Sequence, residues 1–511
     1  MHDESVYIKK FGRTKIKKYS QFFTPYELAS SMTKWVLEKN PKKILDPAVG
    51  NGIFLANVSD NIEKFGYEID SEIIQHFKEK NNINYTLHIK DYLRNDWVDK
   101  YDGIVCNPPY NKFQALEDRE PVFDSFRKII DSKITGYTNQ YSLFLLKSLY
   151  QLNDNGRMAY IVPAEFMNAG YGEIIKRNLL KSKSLKGIIL FSHSVKVFSE
   201  ATTTVCIILI DKSNVNEVSF SVVNSLEELE KCDFNLNLVL ENGKHLVLDE
   251  LDPKDKWLIK FNSEEILEYN TTVFSDYAKA KRGIATGDND FFVFSKSKLN
   301  VHTLSKDSMI PCITKSQDVK GCIFSPNTFK SLKNLDKNVY LFDGTLVKTK
   351  YVDEYIKYGE DKGSNLKYLT KKRSPWYKIE NRNPAPIWIN VFSRDKLKVI
   401  RNLTETKNLT TFHGIYLNKE KSSLTNILFL YLLTPIGQEI LYRNKREYGN
   451  GLDKFEPGDI NKAEVLKLDD INVIDRMRLE ELYEDIKANE SNDFIINKLI
   501  SKADNVFRNY L

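Results

Sequence analysis

Asn107, Pro108, Pro109 and Tyr110 stand together at the end of an apolar run, Tyr101–Cys106, that reads as a β-strand. Each residue type brings one ability. An Asn side chain offers a carbonyl oxygen that accepts an N–H. Two successive prolines hold φ at about −65° and have no N–H of their own, so a neighbouring carbonyl is left to face a ligand. A Tyr ring is a flat surface on which a planar group can stack. Together they suit substitution at a conjugated amino nitrogen, with methyl transfer as the simplest case. Such a nitrogen is a poor nucleophile because its lone pair is delocalised into the ring. Asn107 Oδ1 and the Pro108 carbonyl would accept its two hydrogens and draw it toward a tetrahedral state. With the methyl group held in line, positioning supplies much of the acceleration, and neither a metal nor a covalent enzyme intermediate is required. Taken alone, the tetrapeptide also reads as a strand that ends in a Pro-Pro turn.

The surrounding elements decide between these readings. Lys43-Ile44-Leu45 is a short strand that runs into Asp46-Pro47-Ala48-Val49-Gly50-Asn51-Gly52 and then into an apolar helix start. Glycines in such a turn let backbone approach a ligand where a Cβ would clash. Phe65–Asp70 is a second strand, and Glu68 at its tip lies 22 residues after Asp46. An acid there is placed to accept hydrogen bonds from ribose hydroxyls. A helix over 71–80 and a strand over 84–89 lead to Asp91 and Tyr92, an acid and a ring that could meet an adenine, or equally a helix cap and a core aromatic. Further strands read at 158–162, 188–191 and 205–210, with a helix over 140–152. Alternating strands and helices predict an α/β fold with a doubly wound, mostly parallel sheet.

With these elements in place, the chain resembles the γ-class, Taq-type adenine-N6 DNA methyltransferases of type II restriction–modification systems. Gln21-Phe22-Phe23-Thr24-Pro25-Tyr26-Glu27 resembles the family's N-terminal cofactor-flanking motif, Asp46 through Gly52 its cofactor loop, Glu68 its ribose acid and Asn107 through Tyr110 its catalytic motif. Their order along the chain is that of the γ-class, and the set covers roughly residues 20–210. The resemblance implies a Rossmann-like catalytic sheet and S-adenosyl-L-methionine as methyl donor. It implies that Thr24, Asp46, Ala48, Gly50, Gly52, Glu68, Ile69, Asp91 and Tyr92 bind the donor. It also implies that Phe198, in Val197-Phe198-Ser199-Glu200-Ala201, stacks on a flipped base opposite Tyr110, with a core Phe as the other reading. Base flipping is expected because a base stacked in duplex DNA cannot reach such a pocket.

The second half is expected to read double-stranded DNA. The fragments Lys281–Phe292, Thr411–Tyr416 and Lys454–Asp459 resemble the family's specificity domain more loosely. Lys371, Lys372, Arg373, Trp376 and Tyr377 combine cations with aromatics, which suits phosphate contact beside base or sugar contact. A solvated basic loop with packed aromatics would look the same. A turn at Glu250-Leu251-Asp252-Pro253 suggests a boundary near it, giving a mixed α+β recognition domain over 246–511 after a catalytic and cofactor-binding domain over 1–245. Residues 423–442 read as one apolar helix that ends in cations.

Composition sets the outer limits. The 511 residues carry a net charge of +6, too mild to demand nucleic acid by itself. Five cysteines without C-x-x-C spacing predict reduced thiols, no metal site and a cytoplasmic protein. Apolar runs such as Ile427–Leu433 are too short to span a bilayer, so no membrane partner is expected. One pocket and one reader permit a monomer, whose cognate restriction endonuclease would be a genetic rather than a physical partner. Pro311-Cys312 lies far outside the motif set, which argues against thiol-dependent cytosine chemistry. Cytosine-N4 methylation and methylation of a protein glutamine amide remain as alternative chemistries, and a non-catalytic subunit of a larger complex as an alternative of another class.

Overall fold

Period-two alternation in the strands explains the architecture. Ile207 and Leu209 join one hydrophobic core, while Ile208 and Ile210 join another. Ile44 and Leu45 divide in the same way, as do Val105 and Ile104. Strands buried on both faces need helices on both faces, and that is the arrangement in the computed structural model. It describes residues 7, 10–12, 22–78, 84–95, 97–111, 119–130, 134, 138–192, 195–198, 203–261, 269–447 and 452–511.

The chain forms two compact units, one of Met1–Glu265 with Arg446–Leu452, the other of Ile266–Lys445 with Asp453–Leu511. The first is built on a nine-stranded sheet. Its strands are β1 (Lys43–Asp46), β2 (Glu63–Glu68), β3 (Thr86–Ile89), β4 (Tyr101–Cys106), β5 (Leu152–Pro163), β6 (Leu185–Phe191), β7 (Val205–Asp211), β8 (Glu217–Val223) and β9 (Lys244–Val247). They lie in the order β3-β2-β1-β4-β5-β7-β6-β8-β9. The run from β3 to β5 is parallel, while β7 is antiparallel to both β5 and β6. Helix α1 (Tyr26–Leu37) and the short α2 (Ile53–Ala56) supply one core with Met32, Trp35, Val36, Ile53 and Phe54. Helix α3 (Ser71–Lys78) adds Ile73 and Ile74. Helices α4 (Glu120–Ile130) and α5 (Gln140–Gln151) supply the opposite core with Phe123, Phe126, Leu143 and Leu146.

Strand order reverses direction between β1 and β4. In open α/β sheets such a switch point opens a crevice at the carboxyl ends of the two strands. Leu45 pairs with Ile104, so Asp46 and Asn107 emerge on the same rim.

The first unit extends to residue 265, beyond the boundary read at 245. Leu248, Leu251, Trp257 and Phe261 are buried in its core. Lys176 ties this stretch down by donating to the carbonyls of Met167, at 3.1 Å, and Asp255. The turn at Glu250–Pro253 is therefore internal to the unit.

The second unit centres on a five-stranded sheet of Ala278–Arg282, Phe412–Leu417, Ile387–Asn390, Val399–Asn402 and Ile323–Phe324, in that spatial order. A four-stranded sheet, smaller sheets and helices surround it. The helix read across 423–442 is two helices, Thr425–Leu433 and Pro435–Tyr442, set at 82°. Pro435 has no N–H to donate and disfavours helical backbone in the residue before it. Thr434 is accordingly extended and caps the second helix through its hydroxyl, which accepts from Gly437 N at 3.2 Å. Ile427–Leu432 is buried in the unit's core. Among the described residues no single helix is long and apolar enough to cross a membrane.

Candidate active site

The turn after β1 is shaped by two left-handed glycines. Gly50 has φ +53° and Gly52 φ +78°, a region that costs an L-residue with a Cβ about 1–2 kcal/mol. Asp46 folds back so that Oδ1 accepts from Ala48 N at 3.1 Å. Its Oδ2 is buried and meets no partner among the described residues. Burial, with the Glu68 charge nearby as a smaller contribution, pushes the Asp46 carboxyl up to about 8, against the Ala48 N–H.

Glu68 closes the turn from the next strand. Oε2 accepts from Gly50 N at 2.9 Å, and Oε1 from Ile69 N and Asp70 N, each at 2.9 Å. The acid read as a ribose acceptor is thus also the clamp of the glycine turn. Burial raises its carboxyl above the usual range, opposed by these three N–H groups. Ile69 is 58% exposed, an apolar surface beside the clamp that suits the face of a ring. Tyr85, which sequence reasoning missed, places its hydroxyl 3.3 Å from where a Cβ on Gly52 would stand. An unpartnered buried carboxylate oxygen, an open glycine turn and an exposed apolar side chain fit the methyl donor expected here, which carries an ammonium, a ribose and an adenine.

Two of the residues read as cofactor contacts are engaged elsewhere. Asp91 caps the 3-10 turn Tyr92–Arg94, accepting from Leu93 N at 2.9 Å, and pairs with Arg94 at 3.3 Å. Tyr92 does not flank the pocket. It is 2% exposed, and its hydroxyl bonds Gln151 Oε1 at 2.6 Å and Ser148 Oγ at 3.0 Å on α5. In this structure the ring is packed in the core of the first unit.

The catalytic motif is set with more constraint than the sequence indicates. Asn107 Nδ2 donates to the Phe22 carbonyl at 2.7 Å and to Thr24 Oγ1 at 3.1 Å. A carbonyl only accepts, so the amide face toward Phe22 must be the NH₂, and the assignment of the two amide atoms follows. Oδ1 is left facing away, buried and without a partner among the described residues. A buried acceptor with nothing to accept from is costly, by about 1–3 kcal/mol, unless a ligand supplies the donor. Pro108 is buried and Pro109 half-buried. Tyr110 donates to the Ile161 carbonyl at 3.3 Å, and burial raises its phenol well above the usual range.

Tyr110, Phe198 and Phe22 form a triangle of rings. Their centroids are separated by 6.2 Å for Tyr110–Phe198, 5.4 Å for Tyr110–Phe22 and 6.0 Å for Phe22–Phe198. Parallel rings on either side of a base need about 7 Å, two contact distances of ~3.5 Å. Tyr110 and Phe198 instead cross at 65°, so in this structure they pack as neighbours rather than as facing plates. Phe22 was visible in the sequence only as part of the flanking motif. Ser199–Ala201 and Gln21 lie outside the described residues.

In the second unit the basic-aromatic cluster divides. Lys371 and Lys372 are exposed. Arg373 is half-buried, and its guanidinium donates to the carbonyls of Thr286, at 2.9 Å, and Ala285, at 2.5 Å. Trp376 packs on Phe291 with centroids at 5.0 Å and donates to Glu360 at 3.0 Å, and Tyr377 is half-buried beside it. The cation and two aromatics read as DNA contacts thus also make contacts within the unit. Tyr368 lies at the surface, 68% exposed, with the Lys372 ammonium 3.8 Å from its ring centre. The looser motif fragments are also structural. His413 and Phe455 meet through a 2.7 Å contact between Nε2 and the carbonyl, and Glu456–Asp459 is a capping box.

Comparisons with known proteins identify the family. The chain matches the N-6 DNA Methylase family over residues 5–273. Residues 260–505 match the C-terminal domain of type II methyltransferase M.Eco57I. It is 40% identical over 518 residues to the type II methyltransferase M.AccI of Acinetobacter calcoaceticus, covering 97% of this chain and 95% of that one. It is 23% identical to M.XamI of Xanthomonas campestris pv. amaranthicola, over 88% of this chain and 85% of the relative. Among solved structures, the fold is similar to that of the type IIL restriction–modification enzyme MmeI in complex with DNA, with a TM-score of 0.62 at 11% identity, over 99% of this chain and 73% of that one.

Proposed function

The chain belongs to the N-6 DNA methylase family of type II restriction–modification systems, and on that footing we propose which of its residues carry the reaction. It is an S-adenosylmethionine-dependent methyltransferase that modifies N6 of adenine in DNA. Cytosine-N4 and protein glutamine-amide acceptors are not favoured. When bound, S-adenosyl-L-methionine supplies an electrophilic sulfonium methyl group.

One observation supports the assignment of Asn107 above the others: its Oδ1 is buried, unpartnered and held away from Phe22 and Thr24 by the two bonds on Nδ2. Asn107 Oδ1 accepts one hydrogen of the adenine amine, and the Pro108 carbonyl accepts the other. Both bonds strengthen as the nitrogen becomes tetrahedral, so they favour the transition state over the bound substrate. Pro109 fixes the backbone between them and Tyr110. Stacking on Tyr110 and Phe198 replaces what the flipped base loses, at about 1–3 kcal/mol per aromatic contact. The observed triangle must open for this, with Tyr110 and Phe198 turning to face each other.

Asp46 Oδ2 is the acceptor for a cationic group of the cofactor. Glu68 holds the Gly50–Gly52 turn open and presents its carboxylate edge to the ribose. Ala48, Ile69 and Asp91 border the same rim. Residues 1–265 act as the catalytic unit and the second unit as the DNA reader, with Lys371, Lys372 and Tyr368 on its contact surface. The protein works as a monomer, alongside a cognate endonuclease that shares its recognition sequence.

The test is Asn107→Ala. Loss of the acceptor should lower the single-turnover rate by at least about 100-fold, the scale on which removing one such polar group acts, while cofactor affinity stays within a few-fold. Methylation at the wild-type rate would remove Asn107 from the mechanism.

A further inference from the structure

Thr24 was read from the sequence as a cofactor contact, yet the structure gives its hydroxyl a different neighbour. Thr24 is 5% exposed, and Oγ1 lies 3.1 Å from Asn107 Nδ2. The second bond on that nitrogen, at 2.7 Å, goes to the Phe22 carbonyl two residues earlier. Both acceptors come from the extended stretch just before α1, whose N-terminal turn is fixed by the 2.9 Å bond from Ala29 N to the Pro25 carbonyl. An Asn side chain on a free χ2 presents oxygen or nitrogen to a site with little preference, because that torsion is broad and roughly two-fold. Two acceptors on one side remove the ambiguity. They fix the NH₂ toward Phe22 and Thr24 and leave Oδ1 buried and without a partner among the described residues.

We infer that Thr24, together with the Phe22 carbonyl, is a positioning element for Asn107: it sets which end of the amide faces the target amine. Thr24 acts through Asn107 and touches neither the base nor the methyl group. The inference rests on Asn107 being the amine's acceptor. If Thr24 were absent, the Phe22 carbonyl alone would hold the amide, and a fraction of the molecules would present NH₂ to an N–H, a repulsive pairing that cannot assist the reaction.

The experiment compares Thr24→Val, Thr24→Ser and Thr24→Cys with the full-length wild type. Three quantities are read: the single-turnover rate at saturating S-adenosyl-L-methionine and duplex DNA, the cofactor Kd by calorimetry, and the thermal midpoint. Val keeps the shape of Thr and removes the acceptor. Ser keeps the acceptor and removes the methyl group, and Cys offers a weaker acceptor. The expected rate order is Thr close to Ser, then Cys, then Val, with Val slower by about 10-fold, the rate equivalent of one net hydrogen bond. Cofactor Kd should move less than about three-fold across the series, well under the rate effect. A rate order that follows volume, with Val equal to Thr and Ser slowest, overturns the inference. So does a Val variant that weakens cofactor binding and recovers the full rate at saturation, since Thr24 would then be a cofactor contact. Should Val fail to fold, Ser against Cys still separates acceptor strength from volume. Failure of this series leaves Asn107→Ala as an independent test of the mechanism itself.

Discussion

At the scale of single residues, burial assigns roles that residue type alone leaves open. Asp46 is the clearest case. Its carboxyl ordinarily ionises near 3.8 and is pushed up to about 8 in the fold. Between those values the folded protein keeps a proton that the unfolded chain has lost. This group's contribution to stability therefore declines as pH rises from about 4 to about 8, and is flat on either side. Asp46→Asn removes the decline. Urea unfolding of the cofactor-free protein between about pH 5 and pH 8 should show a shallower loss of stability in the variant than in the wild type; parallel curves would contradict the assignment. The places of Asn107 and Glu68 at strand ends were legible in the sequence from the apolar runs that lead into them. Tyr92 and Trp376 were not, since an aromatic residue looks the same in a list whether it faces a ligand or a core. Arg373 is ambiguous for a related reason: a guanidinium binds backbone carbonyls as readily as phosphate, and its five N–H groups allow both.

At the scale of elements, the cofactor turn depends on backbone conformation more than on side chains. Gly52 combines φ +78° with a hydroxyl 3.3 Å from its absent Cβ. Gly52→Ala should cost about 1–2 kcal/mol of stability and weaken cofactor binding more than DNA binding. Gly458, with nothing within 4 Å of its Cβ position and no positive φ, is the control, and Gly458→Ala should change neither. Equal effects at both positions would mean that the turn carries no special strain. The turn was legible, because glycines two apart after a strand have a physical reason to be there. The break at Thr434–Pro435 was passed over in reading 423–442 as one helix, although a proline inside an apolar run is the signal that marks it. What the sequence did not disclose is the position of the unit boundary. Trp257 and Phe261 look like the start of a new domain until they are seen buried in the first unit's core.

At the scale of the whole molecule, the chain folds as two units with separate cores, and the proposal gives chemistry to the first and recognition to the second. The fold class was readable from alternating elements, whereas for a DNA-facing surface the sequence offers only a neighbourhood. Lys371, Lys372 and Tyr368 are its exposed members, and Arg373 is half-buried. Lys371→Ala and Lys372→Ala should each flatten the plot of log affinity for duplex DNA against log salt by about 0.9, one phosphate contact apiece. Arg373→Ala should lower the unfolding midpoint and leave that slope unchanged. The reverse pattern would return Arg373 to the interface. The most direct measurement of the account as a whole is transfer of a labelled methyl group from S-adenosyl-L-methionine to duplex DNA, followed by digestion to nucleosides, with wild type and Asn107→Ala side by side. The account predicts label in N6-methyladenine for the wild type, and almost none for the variant at matched cofactor occupancy. Label in N4-methylcytosine or in protein, or equal labelling by the two enzymes, would contradict it.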